Sequence, residues 1–241
     1  MKKNRPVFKT TRGKFYLSNW ILNNFPSDYE QLNYIKPFAG GLSVLLNKQP
    51  SDSEAVNDVD LHIIQIYRAL RDEPGNFIGR LKRIKYCPES FLRVGKKIHN
   101  EDYVDQAMGE LVLRRMSKGG NKNSFDETGE NSWLIMIDEL PNTAKRLENI
   151  NIFNKSALDV IGAFDDHDFL CYCDPPCPTL KEECSMTIDE HIKLSELLNQ
   201  YRGKSIISAP YSKLFKRLYD GWRCVQKKSV GRKTECLWMN Y

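Results

Sequence analysis

The segment Cys173-Asp174-Pro175-Pro176-Cys177 constrains this chain more than any other, because it directly follows the apolar run Phe169–Tyr172. Proline has no backbone N–H and a fixed φ, so two consecutive prolines end a central strand and hold a rigid backbone after it. In open α/β sheets, ligands bind at the carboxyl edge, where such strands end. A carboxylate and a prolyl carbonyl held there can accept both hydrogens of an amino group. The segment therefore predicts a strand followed by a ligand-binding turn, although Asp-Pro-Pro by itself is also typical of surface turns.

Short apolar runs alternate with amphipathic stretches along the chain, which favours a mostly parallel sheet with helices on both faces. Helical spacing of apolar residues follows the second predicted strand and precedes the fourth. A closing hairpin adds an antiparallel edge to such a sheet. The predicted strands, the last two of which form the hairpin, are Tyr34–Phe38, Ala55–Asp58, Phe169–Cys173, Lys204–Ser208, Trp222–Val225 and Glu235–Met239.

The stretch from about Tyr86 to Trp133 interrupts this alternation. Its middle, residues 117–124, is polar and rich in glycine. At 241 residues the chain is long enough for one large core with a small insertion. We therefore expect a main domain formed by residues 1–85 and 134–241, with an inserted lobe at residues 86–133.

Positive charge is concentrated in three parts of the chain, although the net charge is only +5. Residues 80–123 contain eleven Lys and Arg against five Asp and Glu, and residues 213–233 contain eight against one. The first fourteen residues contain six basic side chains and no acid. Clustered charge of this kind indicates a nucleic-acid partner. Solvated helix faces are an equally good explanation of the charge alone.

The sequence argues against a membrane or secreted protein. No apolar run approaches the roughly 18 residues that span a bilayer, and no apolar segment of a signal peptide follows the charged residues Met1–Pro6. Seven cysteines is an odd number in a chain of this length, which favours reduced thiols in a cytoplasm.

A glycine turn and an acidic residue follow the first two predicted strands. Gly40 and Gly41 come after Phe38, and glycines there allow the backbone to approach a ligand closely, or simply form a tight turn. Asp58 ends the second strand, where folds of this type bind the hydroxyls of an adenosine ribose. Asp58 or Asp60 is equally suited to cap the next helix. Lys14 is either a ligand contact or an exposed lysine.

In their order and spacing, these pieces resemble the phage-type, Dam-like DNA adenine-N6 methyltransferases over nearly the whole chain. Each motif alone is ordinary, and the combination is specific. The matching segments are Arg12–Leu17, Lys36–Gly41, Ser43–Asn47, Asn57–Asp60, Arg114–Ser117, Asp174–Pro176 and Thr234–Tyr241.

This resemblance implies a Rossmann-like methyltransferase that uses S-adenosylmethionine and acts on double-stranded DNA, without a metal, in the cytoplasm of a bacterium or a phage-infected host. It implies cofactor contacts at Lys14, Phe38, Gly40, Gly41, Asp58 and Asp174. It implies a catalytic tetrapeptide of Asp174, Pro175, Pro176 and Cys177. With the inserted lobe as the target-recognition region, the basic residues expected to contact DNA are Arg114, Arg115, Lys118, Arg232 and Lys233.

The chain departs from the family pattern at two positions. The family ends the tetrapeptide with an aromatic residue, usually Tyr, which stacks on the flipped base, and this chain has Cys177. Base–aromatic stacking contributes roughly 1–3 kcal/mol per base, and a thiol recovers only part of it. The family usually has an acid before Pro37, and Lys36 reverses that charge near a cationic sulfonium. Both departures predict reduced or altered activity.

Two other functions compete with adenine methylation. A degenerate relative would bind DNA or S-adenosylmethionine without methylating, which Lys36 and Cys177 favour. Methylation of another planar amine, in cytosine, RNA or a protein glutamine, is disfavoured by Asp rather than Ser or Asn before the two prolines. A zinc site is also disfavoured, because the cysteines lack paired C-x-x-C spacing. These cysteines are Cys171, Cys173, Cys177 and Cys184.

Overall fold

The computed structural model describes residues 3–10, 13–178, 186–228 and 234–241. The strands in these ranges are β1 (Asn33–Lys36), β2 (Glu54–Asn57), β3 (Ile150–Phe153), β4 (Phe169–Cys173), β5 (Lys204–Pro210), β6 (Arg223–Lys227) and β7 (Glu235–Met239). The α-helices are α1 (Ser18–Leu22), α2 (Leu61–Asp72), α3 (Pro74–Leu81), α4 (Pro88–Gly95), α5 (Tyr103–Arg115), α6 (Glu130–Leu147), α7 (Ala157–Ala163), α8 (Ile188–Gln200) and α9 (Lys213–Leu218). Short 3-10 helices span Phe15–Leu17, Tyr29–Gln31, Leu45–Asn47, Lys96–His99 and Lys118–Gly120.

The strands form one seven-stranded sheet in the order β3-β2-β1-β4-β5-β7-β6. The pairs β1–β2, β1–β4 and β4–β5 are parallel, and β7 pairs antiparallel with both β5 and β6. The predicted α/β sheet, mostly parallel with an antiparallel hairpin at its carboxyl-terminal end, is therefore confirmed.

Burial explains why the central strands do not alternate strictly between apolar and polar residues. Every residue of β2 and β7 is buried, as are all but the first residue of β1 and β4. Strands covered on both faces have no solvent side on which polar residues would alternate. The edge strand β6 has no buried residue and is correspondingly polar.

Strand β3 was missed from the sequence. Its four residues alternate, with Ile150 and Ile152 buried and Asn151 exposed. Such alternation is the signal of a half-buried strand, but four residues are a short window. Strand β1 also ends at Lys36, two residues earlier than predicted, so Pro37 and Phe38 lie after the strand.

The chain forms two compact units. Unit 1 comprises Met1–Asn24, Ala39–Gln49 and Asp60–Asn154, and unit 2 comprises Phe25–Phe38, Pro50–Val59 and Lys155–Tyr241. The expected inserted lobe at residues 86–133 lies wholly within unit 1, and its boundaries stay a prediction.

Each unit has its own apolar interior. In unit 1, α2, α5 and α6 bury residues such as Ile64, Leu111 and Leu140. In unit 2, the ring of Phe215 on α9 stacks on Trp238 of β7 at a centroid distance of 5.6 Å. No helix in the described part of the chain is long and apolar enough to span a membrane.

Candidate active site

Three adjacent parallel strands of unit 2 end at one edge of the sheet. Strands β2, β1 and β4 are neighbours in that order, and they end at Asn57, Lys36 and Cys173. Because parallel strands share their direction, the segments that follow them leave the sheet on the same side. This carboxyl edge is where ligands bind in folds of this type. Pro37–Phe38, Asp58 and Asp174–Cys177 all follow these strand ends, whereas the sequence placed Phe38 and Asp58 at the last positions of their strands.

The segment Asp174–Cys177 lies outside the strand ladder. Pro175 is buried, Pro176 is exposed, and Asp174 and Cys177 are half-buried. Each of the two prolines has a fixed φ, which removes backbone freedom from this segment. The neighbouring Tyr172 is fully buried, and burial together with the negative charge of Asp174 raises its pKa well above the ordinary value. An acceptor carboxylate on a rigid backbone is therefore presented at the edge of the sheet.

His191 on α8 forms a hydrogen bond with this segment. Its Nε2 lies 2.9 Å from the carbonyl oxygen of Pro176, and because a carbonyl only accepts, Nε2 must carry the proton. The imidazole is completely buried and packs edge-on against Phe215 at 5.2 Å. Burial lowers the pKa of His191, so the neutral ring donates this hydrogen bond at neutral pH. Sequence reasoning assigned His191 no role, because the bond joins residues 15 positions apart.

Lys36 has a specific partner in unit 2. The side chain is 4% exposed, and Nζ lies 4.6 Å from the ring centroid of Tyr172. A cation placed over an aromatic face is attracted by the ring quadrupole, more strongly when it is desolvated. The charge that departs from the family pattern is thus buried against the strand that leads to Asp174.

Asn57 fixes the end of β2. The side chain is fully buried, and Nδ2 donates to the carbonyl oxygens of Pro37 and Lys155 at 3.0 and 3.1 Å. Oδ1 accepts from the backbone N–H of Lys155 at 2.9 Å. These bonds tie the end of β2 to the residues that follow β1 and β3. Sequence reasoning quoted Asn57 only as part of a motif and gave it no role.

Asp58 and Asp60 have different surroundings. Asp60 is the N-cap of α2, and its carboxylate accepts from the backbone N–H of His62 at 3.0 Å. The capping alternative thus belongs to Asp60. Asp58 is half-buried and directly follows β2, at the place expected for a ribose contact.

The glycine turn in unit 1 has a strained backbone. Gly40 has φ +48° and Leu42 has φ +52°, and Leu42 N–H donates to Ala39 at 3.1 Å to close the turn. Left-handed backbone favours glycine at position 40 and is unfavourable for the buried leucine. The hydroxyl of Tyr67 also donates to the carbonyl oxygen of Gly40. Strain of this kind persists where the surrounding structure enforces it, and it is frequent at ligand sites.

Gly41 has little space beside it, because an added Cβ would lie 3.2 Å from Pro6 Cβ. Lys14, also in unit 1, is only 7% exposed. The alternative that Lys14 is one more exposed lysine is therefore wrong, and its contact with a cofactor stays a prediction.

Two of the basic residues expected to contact DNA, Arg114 and Arg115, have partners within the protein. Arg114 pairs with Glu110 and, at 3.1 Å, with Asp60, and its guanidinium lies 5.1 Å from the ring centroid of Phe8. Arg115 is 5% exposed and donates to the carbonyl oxygen of Ser132 at 2.8 Å. Both have roles inside unit 1, and their DNA contacts stay a prediction.

Lys118 is exposed on the segment after α5. Arg232 and Lys233 lie outside the described residues. Among those three positions, Lys118 is therefore the one whose exposure the structure establishes.

The cysteines on β4 are core residues. Cys171 and Cys173 are fully buried with their sulfurs 3.5 Å apart, and burial raises the pKa of Cys171 well above the ordinary value. Cys184 lies outside the described residues. Across the described ranges, no group of three or more His, Cys, Asp or Glu side chains is placed to hold a metal ion.

Comparison with known protein families identifies the family of this chain. The family model of the D12 class N6 adenine-specific DNA methyltransferases matches residues 13–234. The chain belongs to this family. The resemblance drawn from the motifs is thereby confirmed, and the chain is that of a DNA methyltransferase whose family uses S-adenosylmethionine and acts on adenine.

Several individual proteins are also similar to this chain. The Type II methyltransferase M.CviBI of Paramecium bursaria Chlorella virus NC1A is 23% identical over 90% of this chain and 87% of its own length. The DNA adenine methylase of Haemophilus influenzae is 24% identical over 77% of this chain and 68% of its own. M1.LlaDCHI of Lactococcus lactis subsp. cremoris is 23% identical over 98% and 95%. A solved structure, the putative methyltransferase yhhF from Escherichia coli, aligns over 93% of this chain and 81% of its own at 10% identity with a TM-score of 0.41, too low to add to the argument.

Proposed function

We propose that this D12-family protein transfers a methyl group from S-adenosylmethionine to the exocyclic N6 amine of an adenine flipped out of double-stranded DNA. The observation that carries the proposal is Asp174-Pro175-Pro176 at the carboxyl end of β4, with the Pro176 carbonyl held by buried His191. These residues give an amino group two acceptors of fixed position.

The residue types suit the chemistry of adenine. The lone pair of the exocyclic nitrogen is delocalised into the ring, which makes the amine a poor nucleophile. Hydrogen bonds from the amine to the Asp174 carboxylate and the Pro175 carbonyl localise this lone pair on nitrogen. Catalysis then depends on positioning and on electrostatics, with no covalent enzyme intermediate. The base leaves the duplex first, at a cost of a few kcal/mol.

S-adenosylmethionine, when bound, supplies an electrophilic methyl group on a sulfonium. We assign its contacts to Lys14, Phe38, Gly40, Gly41, Asp58 and Asp174, the positions that the sequence motifs indicate. Two structural features support the assignment: Asp58 is not used as the cap of α2, and Gly40 has the left-handed backbone of a close-approach turn. A carboxylate at the tip of the second strand is suited to accept hydrogen bonds from ribose hydroxyls.

DNA is the proposed macromolecular partner. We retain Arg114, Arg115, Lys118, Arg232 and Lys233 as proposed contacts. Of these, Lys118 combines a positive charge with exposure, which suits it best to a phosphate. Arg114 would have to exchange its pairing with Glu110 and Asp60 for such a contact.

The test is mass spectrometry of nucleosides from duplex DNA incubated with the protein and S-adenosylmethionine. We expect N6-methyladenine from the wild type and a loss of roughly 10²- to 10³-fold or more in Asp174→Asn, which keeps the shape but removes the charged acceptor. Asp168→Asn is the matched control, because Asp168 is exposed and precedes the opposite end of β4. Cofactor binding without any methylated base in the wild type would establish the alternative, a degenerate relative, which Cys177 favours.

A further inference from the structure

A short segment of chain follows the last paired residue of each of the strands β4 and β5. The strands are parallel neighbours, with Cys171 opposite Ser205 and Cys173 opposite Ile207. Cys177 and Tyr211 each lie four residues beyond that last pair. Parallel strands deliver their succeeding segments to the same edge. Tyr211, the residue that follows β5, therefore lies at the same edge of the sheet as the segment in which Cys177 replaces the family's aromatic residue.

Tyr211 presents its ring to solvent from a fixed backbone. The side chain is 45% exposed, while its backbone N–H donates to Thr234 at 2.8 Å, continuing the ladder between β5 and β7. The next residue, Ser212, caps α9 by accepting from the Phe215 N–H at 3.1 Å. An exposed aromatic ring on an anchored backbone loses little conformational freedom when it binds a flat partner.

A continuous series of contacts joins the neighbourhood of Tyr211 to the tetrapeptide. Phe215, four residues after Tyr211 on α9, packs edge-on against His191 at 5.2 Å. His191 bonds the carbonyl of Pro176 at 2.9 Å. The same buried cluster thus supports both segments, and all of these residues belong to unit 2.

We propose that Tyr211 supplies the aromatic surface for the target adenine that Cys177 does not provide. The inference rests on the proposed function and adds a base-binding residue to it. Every base has a π face, so a tyrosine on the neighbouring strand can replace stacking lost at position 177. Retention of activity without an aromatic residue in the tetrapeptide is then a consequence of the sheet, in which β5 lies next to β4.

The test compares variants that separate the aromatic ring from side-chain bulk. Methyl transfer is measured on a duplex, together with the fluorescence of 2-aminopurine at the target position, which reports an unstacked base. Tyr211→Phe keeps the ring, and we expect kcat/KM within about twofold of the wild type. Tyr211→Leu keeps apolar bulk without a π face, and we expect a fall of roughly 5- to 150-fold, the range that corresponds to one base–aromatic stack.

A double variant tests whether Tyr211 substitutes for the aromatic residue that is missing at position 177. Cys177→Tyr restores the family's aromatic residue, so Tyr211→Leu should cost much less in that background than in the wild type. Tyr29→Leu is the control, because Tyr29 is half-exposed and precedes the start of β1. Unchanged S-adenosylmethionine binding and circular dichroism in each variant exclude misfolding.

The outcomes are distinguishable. If the wild type methylates adenine and Tyr211→Leu does so equally well, the inference fails and the proposed function stands. If Tyr211→Leu is equally damaging with Cys177 or Tyr at position 177, Tyr211 acts in some other way and the inference is overturned. If the wild type forms no N6-methyladenine, the proposed function fails and the inference with it.

Discussion

Replacing His191 with phenylalanine removes the ring nitrogen that bonds Pro176 and leaves the packing of an aromatic ring in place. The hydrogen bond is 2.9 Å long, and the ring contact with Phe215 is 5.2 Å. If His191 positions the tetrapeptide, this substitution should change the rate of methyl transfer far more than it changes stability.

The expected change in stability is small for two reasons. A hydrogen bond of this type contributes about 0.5–1.5 kcal/mol net. The substitution also removes Nδ1, a buried atom without a hydrogen-bond partner among the described residues. We expect a loss of no more than about 1 kcal/mol, or about 2–4 °C in Tm for a chain of this size.

The expected change in rate is larger. A displacement of about 1 Å in a group that positions the substrate can cost about 10²-fold. We therefore expect kcat for His191→Phe to fall roughly 10- to 100-fold, with S-adenosylmethionine affinity unchanged. His191→Gln retains an N–H donor and should recover part of the loss.

The pH dependence of stability provides a second measurement. Burial lowers the pKa of His191 below its ordinary value of 6.5, so below about pH 6.5 the unfolded chain binds a proton that the folded chain resists. The stability contributed by neutral His191 is complete above that pH and is lost as the pH falls through the folded pKa. His191→Phe should lack this component, which Tm measured from pH 7.5 to 5 would reveal.

Single-turnover methylation and thermal unfolding of wild type, His191→Phe and His191→Gln together show whether His191 positions the tetrapeptide. A kcat unchanged in His191→Phe would show that the bond to Pro176 does not position the tetrapeptide. Equal losses in both variants, accompanied by a large fall in Tm, would give His191 a purely structural role.

Two further predictions concern Asp58, which follows β2 in unit 2, and the buried carboxylate of Glu110 in unit 1. Asp58→Ala should weaken S-adenosylmethionine binding by about 1–3 kcal/mol, because ribose hydroxyls lose their acceptor; calorimetry that shows unchanged affinity, as expected for the exposed control Asp52→Ala, would remove Asp58 from the site. Glu110 is fully buried, paired with Arg114 and, at 3.3 Å, with Lys122, so Glu110→Gln should lower the free energy of unfolding by roughly 3–5 kcal/mol. Urea denaturation tests this against exposed Glu101→Gln, and a loss below about 1 kcal/mol would contradict it.

The elements that carry the site follow from local sequence. Pro175 and Pro176 stop β4 wherever it is packed, since proline cannot continue a central strand. The strands β1, β2, β4 and β7 lack strict apolar–polar alternation because nearly all of their residues are buried. For that reason the α/β fold, the hairpin and the family could be predicted before any contact was known.

Long-range contacts could not be predicted in this way. A capping role fitted Asp58 and Asp60 equally well in sequence, and only the position of α2 assigns the cap to Asp60. Arg114 and Arg115 carry the charge of a DNA-binding segment, but the packing of α5 buries Arg115 and pairs Arg114 with the distant Asp60. Charge is a property of composition, whereas its availability depends on the groups that pack around it.

The sequence by itself determined where the candidate segments lie, because two prolines stop a strand and a glycine permits a left-handed turn whatever packs around them. The tertiary structure decided which distant residues are brought to these segments. His191 reaches Pro176 only because α8 packs against the tetrapeptide, and the residues after β4 and β5 share one edge of the sheet only because these strands pair in parallel. Pairing and packing depend on surfaces brought together from distant parts of the chain, and no local pattern specifies them.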